Sequence, residues 1–136
     1  MENIIKKVTN ADIKNGSFVV PERVTEIGEG AFYRCTSLTN IAIPTSVKKI
    51  SEWAFDGCTS LKNIIIPDGV TKIGDWAFFG CKSLESIIIP ESVTKIGIEA
   101  FCGCSSLKKI SLPKRVKLGI NVFYRCHTDF KIEYRD

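Results

Sequence analysis

The stretch Val47-Lys48-Lys49-Ile50-Ser51-Glu52-Trp53-Ala54-Phe55-Asp56-Gly57-Cys58-Thr59-Ser60-Leu61-Lys62-Asn63-Ile64-Ile65-Ile66-Pro67 decides the fold, because the chain repeats it. Pro21, Pro44, Pro67, Pro90 and Pro113 lie 23 residues apart, and so do Val24, Val47, Val70, Val93 and Val116. Cys35, Cys58, Cys81 and Cys104 keep the interval, and Cys126 arrives one residue early. A fixed period of about 20–30 residues marks a solenoid, whose units are too small to bury their own apolar face and do so by stacking.

Within the unit, Val47 and Ile50 come first, and Ala54, Phe55 and Cys58 follow at the spacing of a helical face. Leu61, Ile64 and Ile66 close it; the last two alternate as in a strand, and Pro67 ends the strand because proline cannot donate to a ladder. The expected unit is a strand, a turn, a second extended stretch and a short helical turn. Units should stack at roughly 4.8 Å into a main parallel sheet. Phe18/Val20, Ile41/Ile43, Ile64/Ile66, Ile87/Ile89, Ile110/Leu112 and Ile132/Tyr134 should point inward. Phe32, Phe55, Phe78, Phe101 and Phe123 should stack inside. Gly28, Gly74, Gly97 and Gly119 should mark a tight bend, with Ser51 as the exception, and Gly57, Gly80 and Gly103 should end the helical turns.

At 136 residues and 44% apolar, the chain has material for one packed domain. No apolar run reaches the roughly 18 residues of a membrane span, so no membrane insertion is expected. The net charge of +4 comes from 19 basic and 15 acidic residues spread over the repeats, which argues against a nucleic-acid binder. Five of the six cysteines share one repeat position and read as a buried ladder of small apolar side chains, with Cys102 as a lone, partly exposed thiol. Neither a metal nor another cofactor is implied, since a linear ladder does not gather about four donors round one ion.

The pattern Val-Thr-Lys-Ile-Gly-x-x-Ala-Phe-x-Gly-Cys-x-Ser-Leu-x-x-Ile-x-Ile-Pro, carried by residues 70–90 and 93–113 and with small changes by 24–44 and 47–67, resembles the BspA-type leucine-rich repeat family. The resemblance spans about residues 17–134. It implies an α/β leucine-rich-repeat solenoid of about five repeats plus caps, with a parallel sheet on one face and short helical turns on the other. It also implies protein binding, often as an adhesin on microbial or parasite surfaces, and no catalytic residues. The domain reading is a single unit over 1–136: an N-terminal cap at 1–16, repeats over 17–126, and a C-terminal cap strand at 127–136. The fifth unit is one residue short, and Asp129 stands where leucine is expected.

Function must lie in what the core template leaves free. The outward residues of the main sheet read Val19, Ala42, Ile65, Ile88, Ser111 and Glu133, an apolar stripe with Lys62, Asn63, Glu85 and Lys108 on its rim. An apolar patch with a polar rim is a candidate interface; the competing explanation is the plain β-propensity of isoleucine. A second patch is aromatic: Tyr33, Trp53, Trp76 and Phe79. It is either a binding surface or a half-buried cover for the turns. A third is the column Lys49, Lys72 and Lys95, flanked by Lys48 and Lys117, with Glu52 and Asp75 placed to neutralise part of it. It would serve either as a solvated face or as an attractor of polyanions.

His127 stands alone beside a ladder cysteine, and the glycines follow the repeat instead of forming a phosphate loop. The sequence therefore points away from an enzyme and toward a protein-binding module: an adhesin, an adaptor, or an inhibitor that occludes a larger protein. The partner would be another protein; self-association into a homodimer and weak polyanion binding are the alternatives. Absence of an apolar leader in Met1–Lys7 favours a cytoplasmic location, and removal of a leader would leave a cell-surface location open.

Overall fold

The computed structural model describes residues 3–136; Met1 and Glu2, the first two residues of the expected N-terminal cap, lie outside the described residues. The strands are β1 (Ile4–Ile5), β2 (Ser17–Val19), β3 (Glu26–Ile27), β4 (Asn40–Ala42), β5 (Lys49–Ile50), β6 (Lys72–Ile73), β7 (Ser86–Ile88), β8 (Lys95–Ile96), β9 (Lys109–Pro113), β10 (Lys117–Leu118) and β11 (Lys131–Arg135). All strand pairs are parallel, as stacked coils of a solenoid must be. About six coils build the molecule. The longest continuous ladder is not the expected main sheet. It is the second extended stretch of each unit, where β1-β3-β5-β6-β8-β10 form a six-stranded sheet of two-residue strands.

The face expected to carry the main sheet is divided. It holds a two-stranded sheet, β2-β4, and a three-stranded sheet, β7-β9-β11. Between them the Ile64–Ile66 stretch forms no strand pair; just ahead of it a bridge between Asn40 and Asn63 and a bond from the Lys62 amide to the Thr39 carbonyl join the coils. Among the described residues, no backbone pairing links Ile64–Ile66 to Ile87–Ile89.

The core columns stand where the repeat puts them. Phe32, Phe55, Phe78 and Phe101 are fully buried and stack at 5.0, 5.2 and 5.0 Å between ring centroids. Phe18 closes this stack edge-on at one end, and Phe123 and Phe130 extend it at the other. Asp129 is exposed, while the neighbouring Phe130 packs on the core. The missing residue of the fifth unit falls after Val116, since Lys117 pairs with Lys95 and Leu118 with Ile96.

Three expectations need correction. First, no repeat contains a helical turn; one short 3-10 turn, Asn10–Asp12, is the only helical element among the described residues. The spacing of Ala54, Phe55 and Cys58 is met instead by stacked turns. Amides alternate: Ala31, Tyr33 and Cys35 bond back to Gly28, Gly30 and Phe32, while Gly30, Phe32 and Arg34 bond across to Glu52, Ala54 and Asp56 of the next coil. Left-handed residues at 30 and 34 and their equivalents stop the backbone from winding on as a helix. Second, the Gly74, Gly97 and Gly119 column owes its glycine to close packing and not to the turn it opens, in which Ala77 and Ala100 bond back to Gly74 and Gly97. A Cβ at Gly97 would lie 2.5 Å from the Asp75 backbone nitrogen, so glycine is needed where coils press together. Third, Tyr134 is exposed, although its partner in the strand pair, Leu112, is buried.

Residues 3–16 cover the first coil. Ile4–Ile5 adds a strand to the six-stranded sheet, Val8 and Ile13 are buried, and Asn10 Oδ1 accepts from the amide and hydroxyl of Ser37 at 3.1 and 2.8 Å.

Candidate protein-binding face

The divided face presents the predicted stripe. Ile41, Ile64 and Ile87 turn inward, so the alternation of a strand turns their successors Ala42, Ile65 and Ile88 outward. Val19 is 73% exposed, Ile65 81% and Ile88 69%, and Ala42 is exposed with them. Ile65 and Ile88 flank the gap in the ladder and line one groove with Asp68, Glu91 and Arg135. Lys62, Asn63, Glu85 and Lys108 are all exposed along its rim. Asn63 donates to Asn40 Oδ1 at 3.3 Å, and Thr39 Oγ1 donates to the Gly16 carbonyl at 3.0 Å, so part of this rim is pre-ordered.

The stripe ends sooner than its sequence suggests. Ser111 is buried, not outward and free. Arg135 lies across it: the guanidinium donates to Ser111 Oγ, to the Ile89 carbonyl and to Glu91 Oε2. Glu133 pairs with Lys109 at 3.4 Å. The apolar face therefore runs from Val19 to Ile88 and stops at a charged clasp. No local sequence signal marks this clasp, because Arg135 reaches partners 24 to 46 residues away.

The aromatic patch lies on the stacked turns. Trp53 and Trp76 stack at 5.6 Å with planes 17° apart. Tyr33 and Trp53 are exposed; Trp76 and Phe79 are half-buried. Both tryptophans adopt left-handed backbone, φ 58° and 56°, a conformation that costs an L-residue roughly 1–2 kcal/mol. Gly30 and Asn121 hold the same position in other coils. Those two residue types tolerate positive φ, and this was the available sequence signal.

The lysine column is a continuous ladder: Lys49, Lys72, Lys95 and Lys117 are paired in register on the six-stranded sheet and exposed. Glu52 and Asp75 form no ion pair with it among the described residues. Among the described residues none of the four lysines makes an ion pair, and Asp75 Oδ1 instead accepts from the Ile98 amide at 2.8 Å.

The thiols are built into the interior. Cys58, Cys81 and Cys104 donate to the carbonyls of Phe32, Phe55 and Phe78 at 3.1 to 3.2 Å. Burial pushes the Cys58 thiol up to about 12 and raises Cys81 well above its ordinary value. Such thiols are poor nucleophiles. Cys102 is also buried, against expectation, and burial is the main cause of its raised pKa. Among the described residues no group of three His, Cys, Asp or Glu side chains could hold a metal ion. No helix among them is long and apolar enough to cross a membrane.

The chain matches a family model for the BspA type leucine rich repeat region, with six copies over residues 3–129. The chain belongs to this family. The match begins inside the segment expected as the N-terminal cap. None of the curated proteins matches the chain. Among solved structures, the chain is similar to the T. pallidum leucine rich repeat protein TpLRR, with 38% identity and a TM-score of 0.81 over 85% of this chain and 57% of that one. It is similar to a leucine rich cell surface protein of Faecalibacterium prausnitzii, with 47% identity and a TM-score of 0.67 over 69% of this chain and 25% of that one. It is also similar to the pneumococcal vaccine antigen PcpA, with 28% identity and a TM-score of 0.80 over 89% of this chain and 31% of that one. The chain thus spans between a quarter and three fifths of the length of these relatives.

Proposed function

We propose that this BspA-type solenoid is a non-enzymatic protein-binding module and that it binds through the face from Val19 to Ile88. The observation that carries the reading is the pair Ile65 and Ile88, 81% and 69% exposed on either side of the gap in the sheet. Burying two such side chains contributes about 1.5–3 kcal/mol each. Unpaired main-chain groups beside them would meet a partner's backbone or water. Rigid coils lower the ordering cost of association. Lys62, Glu85 and Lys108 would select the partner by charge, and Asn63 by hydrogen bonding. Adhesion, adaptor work or occlusion of a larger protein all use such a face, and the cell-surface relative supports display outside the cell.

The test is affinity capture from the source cell or its host with the wild type and with Ile65→Lys/Ile88→Lys. Both positions point into solvent, so the variant should fold. A protein partner retained by the wild type and lost by the variant supports the face; a partner retained by both overturns it. Light scattering on the same two proteins separates self-association, which would give a dimer mass for the wild type alone.

The in-register, unpaired lysines favour a second reading, weak polyanion binding on the six-stranded sheet. Its signature would be a steep fall of affinity with salt that Lys72→Gln/Lys95→Gln abolishes.

A further inference from the structure

The stacked-turn edge carries an open slot that the binding face does not use. One left-handed position recurs in successive coils, and its occupants are Gly30, Trp53, Trp76, Glu99 and Asn121. The two indoles stack on each other. The stack stops at Trp53 because the coil before it has glycine there. A Cβ at Gly30 would meet only the Cβ of Tyr33, at 3.8 Å. One flat group can therefore continue the column over Trp53, in the place where a third ring would sit. The resulting notch, about 420 Å³, is lined by Gly30, Tyr33, Trp53 and Asp56.

Asp56 in the notch and Arg34 beside it, next to Tyr33 and Asp56, narrow its ligand. Arg34 donates through Nε to the Tyr33 hydroxyl at 3.2 Å, and its guanidinium lies 5.4 Å from the centre of the Tyr33 ring. The Asp56 carboxylate has no hydrogen-bond or ion-pair partner among the described residues. Burial pushes its pKa above the ordinary 3.8, and Arg34 pulls it partly back. A cationic ligand would suit the rings and Asp56 but would meet Arg34. An anionic ligand would suit Arg34 but would meet Asp56. An aromatic side chain would cover Trp53 and leave the acceptor and the donor both unmatched. A neutral ring that has an apolar C–H face and several hydroxyl groups matches the whole set. Its face would lie on the indole, and its hydroxyls would donate to Asp56 and accept from Arg34.

We propose that this notch is a carbohydrate site, in which a neutral pyranose ring of an uncharged glycan stacks on Trp53 in the position left open by Gly30.

The test is an array of gluco-, galacto- and manno-oligosaccharides alongside sialylated and free-amine glucosamine oligomers of the same length. Hits are then titrated by NMR on the indole Nε1–H signals. The expected result is binding of one or more neutral oligomers, with the Trp53 indole shifting more than that of Trp76. Gly30→Trp should fill the slot and weaken binding at least about tenfold; two neighbouring coils already carry tryptophan at this position, and the space is open. Trp53→Ala removes the floor and should act in the same direction, and Asp56→Asn should weaken binding less. Ile65→Lys/Ile88→Lys should leave glycan binding unchanged, which separates this site from the sheet face. The proposal is overturned if no neutral oligomer binds, if charged oligomers bind better, or if Gly30→Trp binds as the wild type does. A tryptophan- or tyrosine-ended peptide that shifts the Trp53 indole where no glycan does would give the slot to a protein side chain and overturn it too.

Discussion

The coil at residues 70–92 and the last coil, 116–136, share one template and meet different surroundings. In the middle coil Val70, Ile73, Ala77, Phe78, Cys81 and Leu84 are all at most 1% exposed. In the last coil Leu118 is 38% exposed, and Val116, Phe123 and Cys126 are only partly buried. The residue types hardly change, so side-chain chemistry does not account for the difference. A coil with a neighbour on each side is sealed by them; a coil with one neighbour must find other cover. The last coil finds it off the template: Phe130 packs on Phe123 at 4.9 Å, and Arg135 reaches back to the Ile89 carbonyl two coils away.

Truncating the phenylalanine stack is the strongest way to break this comparison. Phe78 is fully buried between Phe55 and Phe101, with planes 6° and 2° from theirs. Phe78→Ala should destabilise the protein by about 3–5 kcal/mol. Phe123 is partly buried, 6.1 Å from Phe101 and tilted 36° to Phe130. Phe123→Ala should cost less than about 3 kcal/mol, since less area leaves its cover. Urea unfolding of both variants measures the two values, and equal losses would show that both coils are sealed alike.

Alkaline titration sharpens the contrast at the thiols. Burial raises Cys58 from its ordinary 9.0 to about 12. In the unfolded chain the same thiol ionises near 9.0, so unfolding releases protons above that pH. The stabilisation from protonated thiols is thus complete below pH 9 and is lost as pH rises toward 12. Each such thiol should take away about 1.4 kcal/mol per pH unit in that window. Cys81→Ala should make the slope of unfolding free energy between pH 10 and 11 shallower by about one proton's worth. Alkylation of the native protein should modify Cys126, the partly buried ladder thiol, before Cys81. Reaction of Cys81 first would contradict the sealed middle coil.

The sequence made the interior legible because a repeated identity reports a repeated environment. Phe55, Cys58, Leu61 and Ile64 recur, and each recurrence names the same inward position. The helical turn was misread because Ala54, Phe55 and Cys58 have spacings of one and three residues, which stacked turns satisfy as well as a helix does. Gly30 and Asn121 in the tryptophan column held the contrary signal, since a position shared by Gly, Asn and Trp must suit the first two. The stripe was legible as residues but not as geometry. Ile64-Ile65-Ile66 has the same β character as Ile87-Ile88-Ile89, yet only the second forms a regular strand pair. Ladder continuity depends on how the neighbouring coils sit, and no single unit encodes that.

The clasp at the C-terminal end should give the smallest effect and still tell the two coils apart. Arg135 is 30% exposed at its side chain and Glu91 64%, so solvent screens the pair. Arg135→Ala should cost about 1 kcal/mol or less in global stability. Its local effect should be larger. The Ser111 hydroxyl is covered because the guanidinium lies over it, and removing the guanidinium opens β9 to water. Amide exchange should therefore quicken at Ile110–Leu112 while Ile73 and Ile96 keep their protection. The same change would lengthen the open face beyond Ile88 by one coil. A partner that covers only Val19 to Ile65 and stays out of the groove would bind the variant unchanged, and one that enters the groove beside Ile88, which Arg135 lines, would bind it more weakly. Lys114→Ala supplies the control, because its ion pair with Asp136 sits on side chains 69% and 96% exposed and covers no hydroxyl. If both variants leave exchange untouched, the last coil is held by Phe130 and the strand pairing of β11 alone, and the clasp shapes the face without holding the fold.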